Sequence, residues 1–395
     1  MSSFLYPAAT VARRLPLLFP RTAGTICYRS TYSPPLLSLS SRSLSSPSSS
    51  SSFSTSASIS TAAPPTSAAT IASDFLSRFR SIGPQTRTQT LDANQLHLLS
   101  LTLNRNSLYP GSPSLSNAAP PVSGSPVPPG HHLVYFTPAF LEGELGPDGT
   151  DASYNPKAPF TRRMWAGGEV RWPRGADGKP NLLRVGQEVR ETTRMLSAEA
   201  KTVRKTGEEM VVVGVEKVFE NENGVAVVDR RNWVFREALK VPSPTNPPPQ
   251  FPNSPPLFST ARPPTTPPTF TTEGTSHTRT LTQTAATLFR FSALTFNAHK
   301  IHYSLPWAQA VEGHRGLVVH GPINLISILD LWRDVRGGEL VPESISYRAT
   351  SPLYAEEEYK IVLEEEEVEG KGAKGANVNI YAPSGVVAMK ADIVA

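Results

Sequence analysis

Two kinds of hydrophobic pattern follow each other in the first large part of the chain, residues 75–240. In "LDANQLHLLSLTLN" (91–104), Leu91, Leu98 and Leu101 recur at helical spacing, and either Asp92 or Thr90 is placed to cap a helix. The later runs "EEMVVVGVEKVFE" and "VAVVDRRNWVFRE" are strand-like, and the "NENG" between them suits a tight turn with positive φ. This part is therefore predicted to contain a helix followed by long antiparallel strands.

The last part, residues 279–395, shows a similar order. The run "TLFRFSALTF" (287–296) is predicted to be a strand, and a short helical turn is predicted near Trp307. In "GPINLISILDLWRDVRGG", Pro322 suits the first turn of a helix, apolar residues recur at helical spacing, and two glycines end the pattern. Alternating strand patterns such as "ESISYRAT" follow. The pattern predicts an α+β fold in which a sheet wraps around this helix, and two related halves.

Two segments have a different composition. Residues 1–73 are rich in serine, contain arginines and have no acid before Asp74, which is typical of a mitochondrial transit peptide. The alternative is a disordered serine-rich tail. Residues 241–278 carry repeated prolines and little apolar material, so they are predicted to be an extended linker.

The net charge is explained by the first of these segments. The formal charge is +5, and residues 1–73 contribute five positive charges, which are Arg13, Arg14, Arg21, Arg29 and Arg42. The remaining residues therefore have a net charge of 5 − 5 = 0. A neutral remainder gives no electrostatic reason to expect nucleic acid. The one cysteine, Cys27, also lies in this segment, so neither disulfides nor thiol chemistry are predicted elsewhere. No uncharged apolar stretch reaches the length of a membrane span.

Candidate chemistry is concentrated in a group of histidines, His299, His302, His314 and His320. A zinc site is one interpretation, although His-x2-His lacks the i, i+4 spacing of ligands on one helical face, and an inert structural cluster is another. The third depends on "HGPIN", which places Gly321 at a helix entrance, where free N–H groups can stabilise a developing oxyanion. With His302 as a base whose ordinary pKa is near neutrality, these residues could remove or add water next to a thioester without metal or cofactor.

Two longer motifs carry a family resemblance. "TFNAHKIH" followed by "GLVVHGP" resembles the MaoC-like, R-specific enoyl-thioester hydratases. "PFTRRMWAGGEVRW" (159–172) with "LFRFSALTFNAHKIHY" is similar to mitochondrial type 2 3-hydroxyacyl-thioester dehydratases, which share a branch with mesaconyl-C4-CoA-type hydratases. The resemblance covers most of 85–240 and 285–395. It implies a double hot-dog fold, with two antiparallel sheets each wrapped around a central helix and an acyl chain beside the helix at 322–335.

The resemblance also implies roles for individual residues. His302 matches the catalytic histidine and Gly321 the oxyanion glycine. The family's aspartate falls on Asn297, which cannot exchange a proton, and its asparagine falls on His299. Either His302 performs both proton transfers, or His299 or a carboxylate from elsewhere replaces the missing acid. His320 adjoins the site as a further acid, base or supporting group.

The first half has no equivalent histidine pair. Its "RRMWAGG" is either a structural corner or, through Arg162 and Arg163, a binding site for the phosphate-bearing arm of the thioester. This arrangement fits one working site between two halves.

The function implied is the reversible dehydration of (3R)-3-hydroxyacyl thioesters to trans-2-enoyl thioesters in mitochondrial fatty acid synthesis, in the matrix. The substrate would be carried by acyl carrier protein or CoA. The arrangement is compatible with a homodimer of double hot dogs. The alternatives are a hydratase for a short branched or dicarboxylic enoyl-CoA, of the mesaconyl-C4-CoA type, and a non-catalytic acyl-binding or scaffold protein.

Overall fold

The computed structural model of the chain describes residues 67–204, 206–239, 268–337, 341–367 and 374–395. The predicted transit peptide lies outside the described residues up to position 66, and the predicted linker lies outside them up to position 267. None of the described helices is both long and apolar enough to cross a membrane.

The elements of the first half are two helices, a 3-10 turn and five strands. In chain order they are α1 (Ala68–Ile82), β1 (Gln85–Thr90), α2 (Ala93–Thr102), the 3-10 turn His131–Val134, β2 (Arg162–Arg171), β3 (Glu188–Thr202), β4 (Glu209–Asn221) and β5 (Gly224–Arg236). The second half contains β6 (Thr271–Glu273), β7 (Ser276–Thr282), α3 (Ala285–Leu294), α4 (Leu305–Ala310), α5 (Gly321–Arg336), β8 (Ser344–Ala349), β9 (Glu358–Glu367), β10 (Lys374–Tyr381) and β11 (Val387–Val394). Shorter 3-10 turns lie at Glu142–Glu144 and Lys300–His302.

All described strands form one antiparallel sheet, in the order β1-β3-β4-β5-β2-β8-β11-β10-β9-β7-β6. The first five strands and the five from β8 to β7 have mirrored orders, so the topology repeats. The halves meet where β2 pairs with β8, Gly168 opposite Tyr347. The fold is a double hot dog, and its two sheets are fused edge to edge.

Helix α5 is the centre of the second half. Its residues 323–333 are all buried, which explains why the segment is apolar on nearly every side. The strands of the second half supply alternate side chains, among them Ile345, Ile361, Val378 and Ile393, to the same core. The prediction of a helix at 322–335 with a sheet around it is confirmed.

The first half differs from the expected pair of equal central helices. At the position in the chain order that α5 has in the second half, it contains only the turn at His131–Val134. Helix α1 instead packs Phe75 and Phe79 with Val213 and Phe235 in a separate hydrophobic cluster. One half therefore has a full central helix and the other leaves room beside its sheet.

The glycines of "RRMWAGG" permit the junction between halves. A side chain on Gly168 would place its Cβ 2.0 Å from the carbonyl oxygen of Arg230, and one on Gly167, at φ +154°, 2.4 Å from that of Tyr347. Both distances are shorter than atoms can approach. These two glycines therefore have a structural role within strand β2, where they allow the close approach of the neighbouring strands.

Three local predictions from the sequence were wrong. Residues 287–296 belong largely to helix α3 rather than to a strand, because Thr284 caps the helix and the buried side chains follow helical spacing. The last residues of the predicted linker form the β6–β7 hairpin. In α2, Leu98 is exposed, whereas Leu96 and Leu99 are buried.

Candidate active site

The predicted site residues, with the exception of Arg162, border a cavity of about 1460 Å³ that both halves line. From the second half come Asn297, His299, His302, His320 and Gly321, and from the first half come side chains of the 133–154 segment, β2, β4 and β5. A cavity of this size accommodates an acyl chain with the end of its carrier arm.

His302 is fixed as a neutral imidazole. Its Nδ1 lies 2.7 Å from the carbonyl oxygen of Val318. A carbonyl oxygen only accepts, so Nδ1 carries the hydrogen and Nε2 is left with its lone pair. Burial, followed by the nearby His299, lowers the pKa of His302 to about 3. The expectation of a group titrating near neutrality was therefore wrong for His302, which stays unprotonated.

His320 supports His302 from one side. The two rings are stacked, with centroids 3.6 Å apart and planes inclined by 18°. His320 Nε2 lies 2.9 Å from Ser292 Oγ on α3. Burial, then His302 and His299, lower the pKa of His320 well below its usual value. Its role here is to hold the His302 ring in place.

The buried neutral histidines make stability depend on pH. In the unfolded chain His302 and His320 bind a proton more readily than in the folded one, so protonation favours unfolding below about pH 6.5. Each contributes up to about 1.4 kcal/mol of lost stability per pH unit. The free energy of unfolding in urea should fall steeply between pH 7 and pH 5, where carboxylates change little. His320→Asn should reduce this slope, and a slope near zero in the wild type would contradict the account.

Gly321 provides the first N–H group of α5, and Pro322 follows it. The first N–H groups of a helix have no acceptor within the helix, so this one can donate to a substrate oxygen. A glycine is also needed at this position for steric reasons. A Cβ at position 321 would lie 2.3 Å from Cε3 of Trp165, whose ring stacks on Tyr347 at 4.7 Å. Trp165 of the first half thus packs directly on the predicted oxyanion donor.

Asn297 shapes the turn that carries the histidines. It lines the cavity, and its Oδ1 accepts the backbone N–H of His299 at 3.1 Å, which is an Asx turn. This contact places His299, whose ring meets His302 edge-on at a centroid distance of 5.4 Å. Its assignment as a catalytic residue remains a prediction.

His299 lies between two carboxylates. Its Nε2 is buried, 3.9 Å from Oδ2 of Asp148 and 4.0 Å from Oε1 of Glu312, without a hydrogen-bond partner among the described residues. Burial raises the pKa of Glu312, but His299 and the Arg162 guanidinium lower it by more, so it stays ionised. Two carboxylates therefore lie beside His299, although the motif itself contains none.

The two arginines of the first half are paired with acids. Arg162 Nη1 lies 3.5 Å from Oε2 of Glu312, and Arg163 Nη2 lies 3.0 Å from Oδ2 of Asp151. Arg163 also lies over the ring of Trp233. These contacts favour a structural role for both over phosphate binding.

Potential metal ligands come together at one place among the described residues. Asp148, His299 and Glu312 each offer an atom within 4.8 Å of the others. The guanidinium of Arg162 already supplies a positive charge to Glu312 there. His302 and His320 do not join this group, because stacked rings cannot direct their nitrogens at a common ion.

Asp148, Glu312 and Trp165 were missed in the sequence. Asp148 lies in "GPDGT", which looks like an ordinary turn, and Glu312 follows α4 in "VEGHRG". Both reach His299 only through tertiary contacts. In the case of Asp148, Gly149 at φ +83° lets the turn pack on Ala298, because a Cβ at position 149 would lie 2.0 Å from the carbonyl oxygen of Ala298. Only the neighbouring glycines offered a signal.

A family model described as hydroxyacyl-thioester dehydratase type 2 matches residues 130–355, more than half of the chain. The chain belongs to this family. Its members are hydro-lyases, and the match spans the histidine cluster, Gly321 and the "RRMWAGG" motif. The non-catalytic scaffold interpretation is thereby superseded, and the protein is a hydro-lyase of this dehydratase and hydratase family.

Two curated relatives bear similar names. The mesaconyl-C(4)-CoA hydratase of Chloroflexus aurantiacus is 33% identical over 237 residues, which are 59% of this chain and 73% of the relative. The mitochondrial hydroxyacyl-thioester dehydratase type 2 of Schizosaccharomyces pombe is 25% identical over 261 residues, 60% of this chain and 77% of that protein. Among solved structures, a Mycobacterium tuberculosis protein described as a double hot-dog fold is 15% identical, with a TM-score of 0.46 over 80% of this chain and 97% of its own.

Proposed function

We propose that the protein dehydrates (3R)-3-hydroxyacyl thioesters reversibly to trans-2-enoyl thioesters in mitochondrial fatty acid synthesis. The observation that carries the proposal is the meeting of two groups at one cavity: the lone-pair nitrogen of a neutral His302 and the first N–H of α5, at Gly321. One can take a proton from C2, and the other can stabilise the negative oxygen that results.

The reaction follows from this geometry. The thioester oxygen accepts the N–H of Gly321, which makes the C2 proton more acidic. His302 Nε2 takes that proton, the electron pair forms the C2–C3 double bond, and the C3–O bond breaks. The leaving oxygen takes the pair of that bond and a proton, and departs as water. In hydration the same steps run in reverse.

The carrier arm would enter past cations at the cavity opening. Arg348 lines the cavity and is exposed, and Lys300 lines it with Nζ 4.4 Å from the ring centre of Trp307. These groups suit the phosphate of an acyl carrier protein or CoA arm better than Arg162 and Arg163 do.

The proposed location in the mitochondrial matrix rests on the acid-free residues 1–73 and on a mitochondrial relative. Sequencing the N-terminus of protein purified from mitochondria tests it, and light scattering tests the predicted homodimer.

The charges within the first half favour a second candidate, a hydratase for a short dicarboxylic enoyl-CoA. Arg87, Lys217 and Arg231 line the cavity. Two acids are paired with these cations. Glu191 lies 2.9 Å from Lys217, and Asp229 lies 2.5 Å from Arg231. Burial, partly opposed by Glu191, lowers the pKa of Lys217 to about 8. The three cations exceed the two acids by one positive charge. This charge suits a carboxylate at the far end of a short acyl group, such as the mesaconyl group in the name of the bacterial relative.

A substrate comparison separates the two candidates. We expect kcat/KM to be at least tenfold higher for a monocarboxylic enoyl group on acyl carrier protein or CoA than for mesaconyl-C4-CoA. Crotonyl-CoA and longer enoyl chains give the chain-length preference in the same assay. A preference of that size for mesaconyl-C4-CoA would establish the second candidate, and no turnover of any of these thioesters would overturn both.

A further inference from the structure

The proposed reaction needs a source for its second proton. The mechanism above needs a base, which His302 supplies, and an acid for the leaving oxygen, for which the motif has no carboxyl group. His299 lines the same cavity. Its Nε2 is buried toward Asp148 and Glu312, which leaves Nδ1 as the ring nitrogen available to the cavity.

We propose that His299 is the general acid of the reaction, and that Asp148 and Glu312 are positioning residues that orient its ring. This inference rests on the proposed function. Two carboxylate oxygens lie within about 4 Å of the buried Nε2 of His299, so this side of the ring is turned toward them. His302, buried without a carboxylate against its ring nitrogens, is held neutral. The two histidines of the same turn therefore have different neighbours, which are carboxylates at His299 and a backbone carbonyl group at His302.

Both carboxylates are held in place by other contacts. Asp148 Oδ1 accepts the backbone N–H of Thr150 at 3.0 Å and its hydroxyl at 2.7 Å, so that Oδ2 faces His299. Lys300 N–H donates to the backbone oxygen of Asp148 at 2.8 Å. Glu312 is anchored at its other oxygen by Arg162. Asp148 and Arg162 belong to the first half, which thereby completes a site whose reacting groups lie in the second.

Charge balance favours a proton over a metal ion at this place. The two carboxylates are matched by Arg162 and a protonated His299, a sum of zero. A divalent ion bound by a neutral His299 would leave a net charge of +1 in a largely buried group.

The number of protons is conserved in this step. His302 Nε2 gains the C2 proton while His299 Nδ1 gives its proton to the C3 oxygen, so water leaves and the two rings exchange charge states. Return of one proton from His302 to His299, directly or through solvent, regenerates the enzyme. In hydration, one proton first moves from His299 to His302, and then His299 takes the proton of the attacking water while His302 delivers its proton to C2.

The test compares leaving groups. Fluoride needs far less protonation than hydroxide, so the 3-fluoro analogue of the 3-hydroxyacyl thioester requires the base but not the acid. His299→Ala, Glu312→Gln and Asp148→Asn should each lower dehydration by tenfold or more, with His299→Ala the largest loss, and leave fluoride elimination within about threefold of wild type. His302→Ala should lose both reactions. Glu199→Gln, at an exposed strand position, is the matched acid-to-amide control.

Equal loss of activity on both substrates, or activity that a chelator removes and a divalent ion restores, would overturn the proposal. An inactive wild type would instead overturn the proposed function itself.

Discussion

Replacing His302 with alanine is expected to lower kcat/KM for dehydration by about 10²–10⁴-fold, the usual contribution of a positioned general base. In the proposed reaction its Nε2 takes the C2 proton, because Nδ1 is bonded to the carbonyl oxygen of Val318. The Nε2 atom of the neighbouring His320 contacts the hydroxyl group of Ser292, and the ring of His320 stacks behind that of His302. No other histidine of the turn is held neutral by the same contacts.

The control for this variant is another buried histidine. His277→Ala removes a side chain that is 7% exposed, as His302 is, but lies on β7 away from the cavity. It should lose stability and keep kcat. Circular dichroism and thermal melting show whether His302→Ala remains folded. Activity of a folded His302→Ala variant within a few-fold of wild type would remove this residue from the mechanism.

The Gly321→Ala variant is expected to lose about 10²-fold in kcat although it adds only one methyl group. The new Cβ would lie 2.3 Å from the ring of Trp165, and that ring is backed by Tyr347. The start of α5 must then shift, and a displacement of about 1 Å at a reacting group costs on the order of 10²-fold. The loss should appear in kcat, because the donor acts on the transition state.

A matched glycine and a compensating change make this result specific. Gly143 has no neighbouring atom within 4 Å of the Cβ position, so Gly143→Ala should leave activity unchanged. Removing the ring in the double variant Gly321→Ala, Trp165→Ala should restore part of the activity that the single variant loses. Full activity of Gly321→Ala would show that the N–H of Gly321 does not meet the substrate.

Local patterns predicted the parts of the fold that depend on nearby residues. The β4–β5 hairpin follows from two strand-like runs around Asn223-Gly224, and α5 follows from its proline, its apolar spacing and its terminal glycine. The strand predicted at 287–296 was wrong because the segment is apolar enough to satisfy both periods. Its helix is decided by the Thr284 cap and by burial of Leu288, Phe291 and Leu294 in the core.

The site was predicted only as far as its own motif. His302, Asn297 and Gly321 lie close together in the sequence and at one cavity in the structure. Asp148 precedes His299 by about 150 positions, and its carboxylate becomes relevant only when the turn at Gly149 docks on Ala298. The low pKa of His302 likewise depends on burial, which no single stretch of sequence contains.

In the proposed reaction, this chain moves water across a thioester-conjugated double bond with His302 as base. The most direct measurement is hydration of crotonyl-CoA by purified wild type and by folded His302→Ala, with chiral analysis of the product. We predict that the wild type forms (3R)-3-hydroxybutyryl-CoA and that the variant forms at least 10²-fold less. No hydration by the wild type, the (3S) product, or equal rates for both proteins would contradict the account.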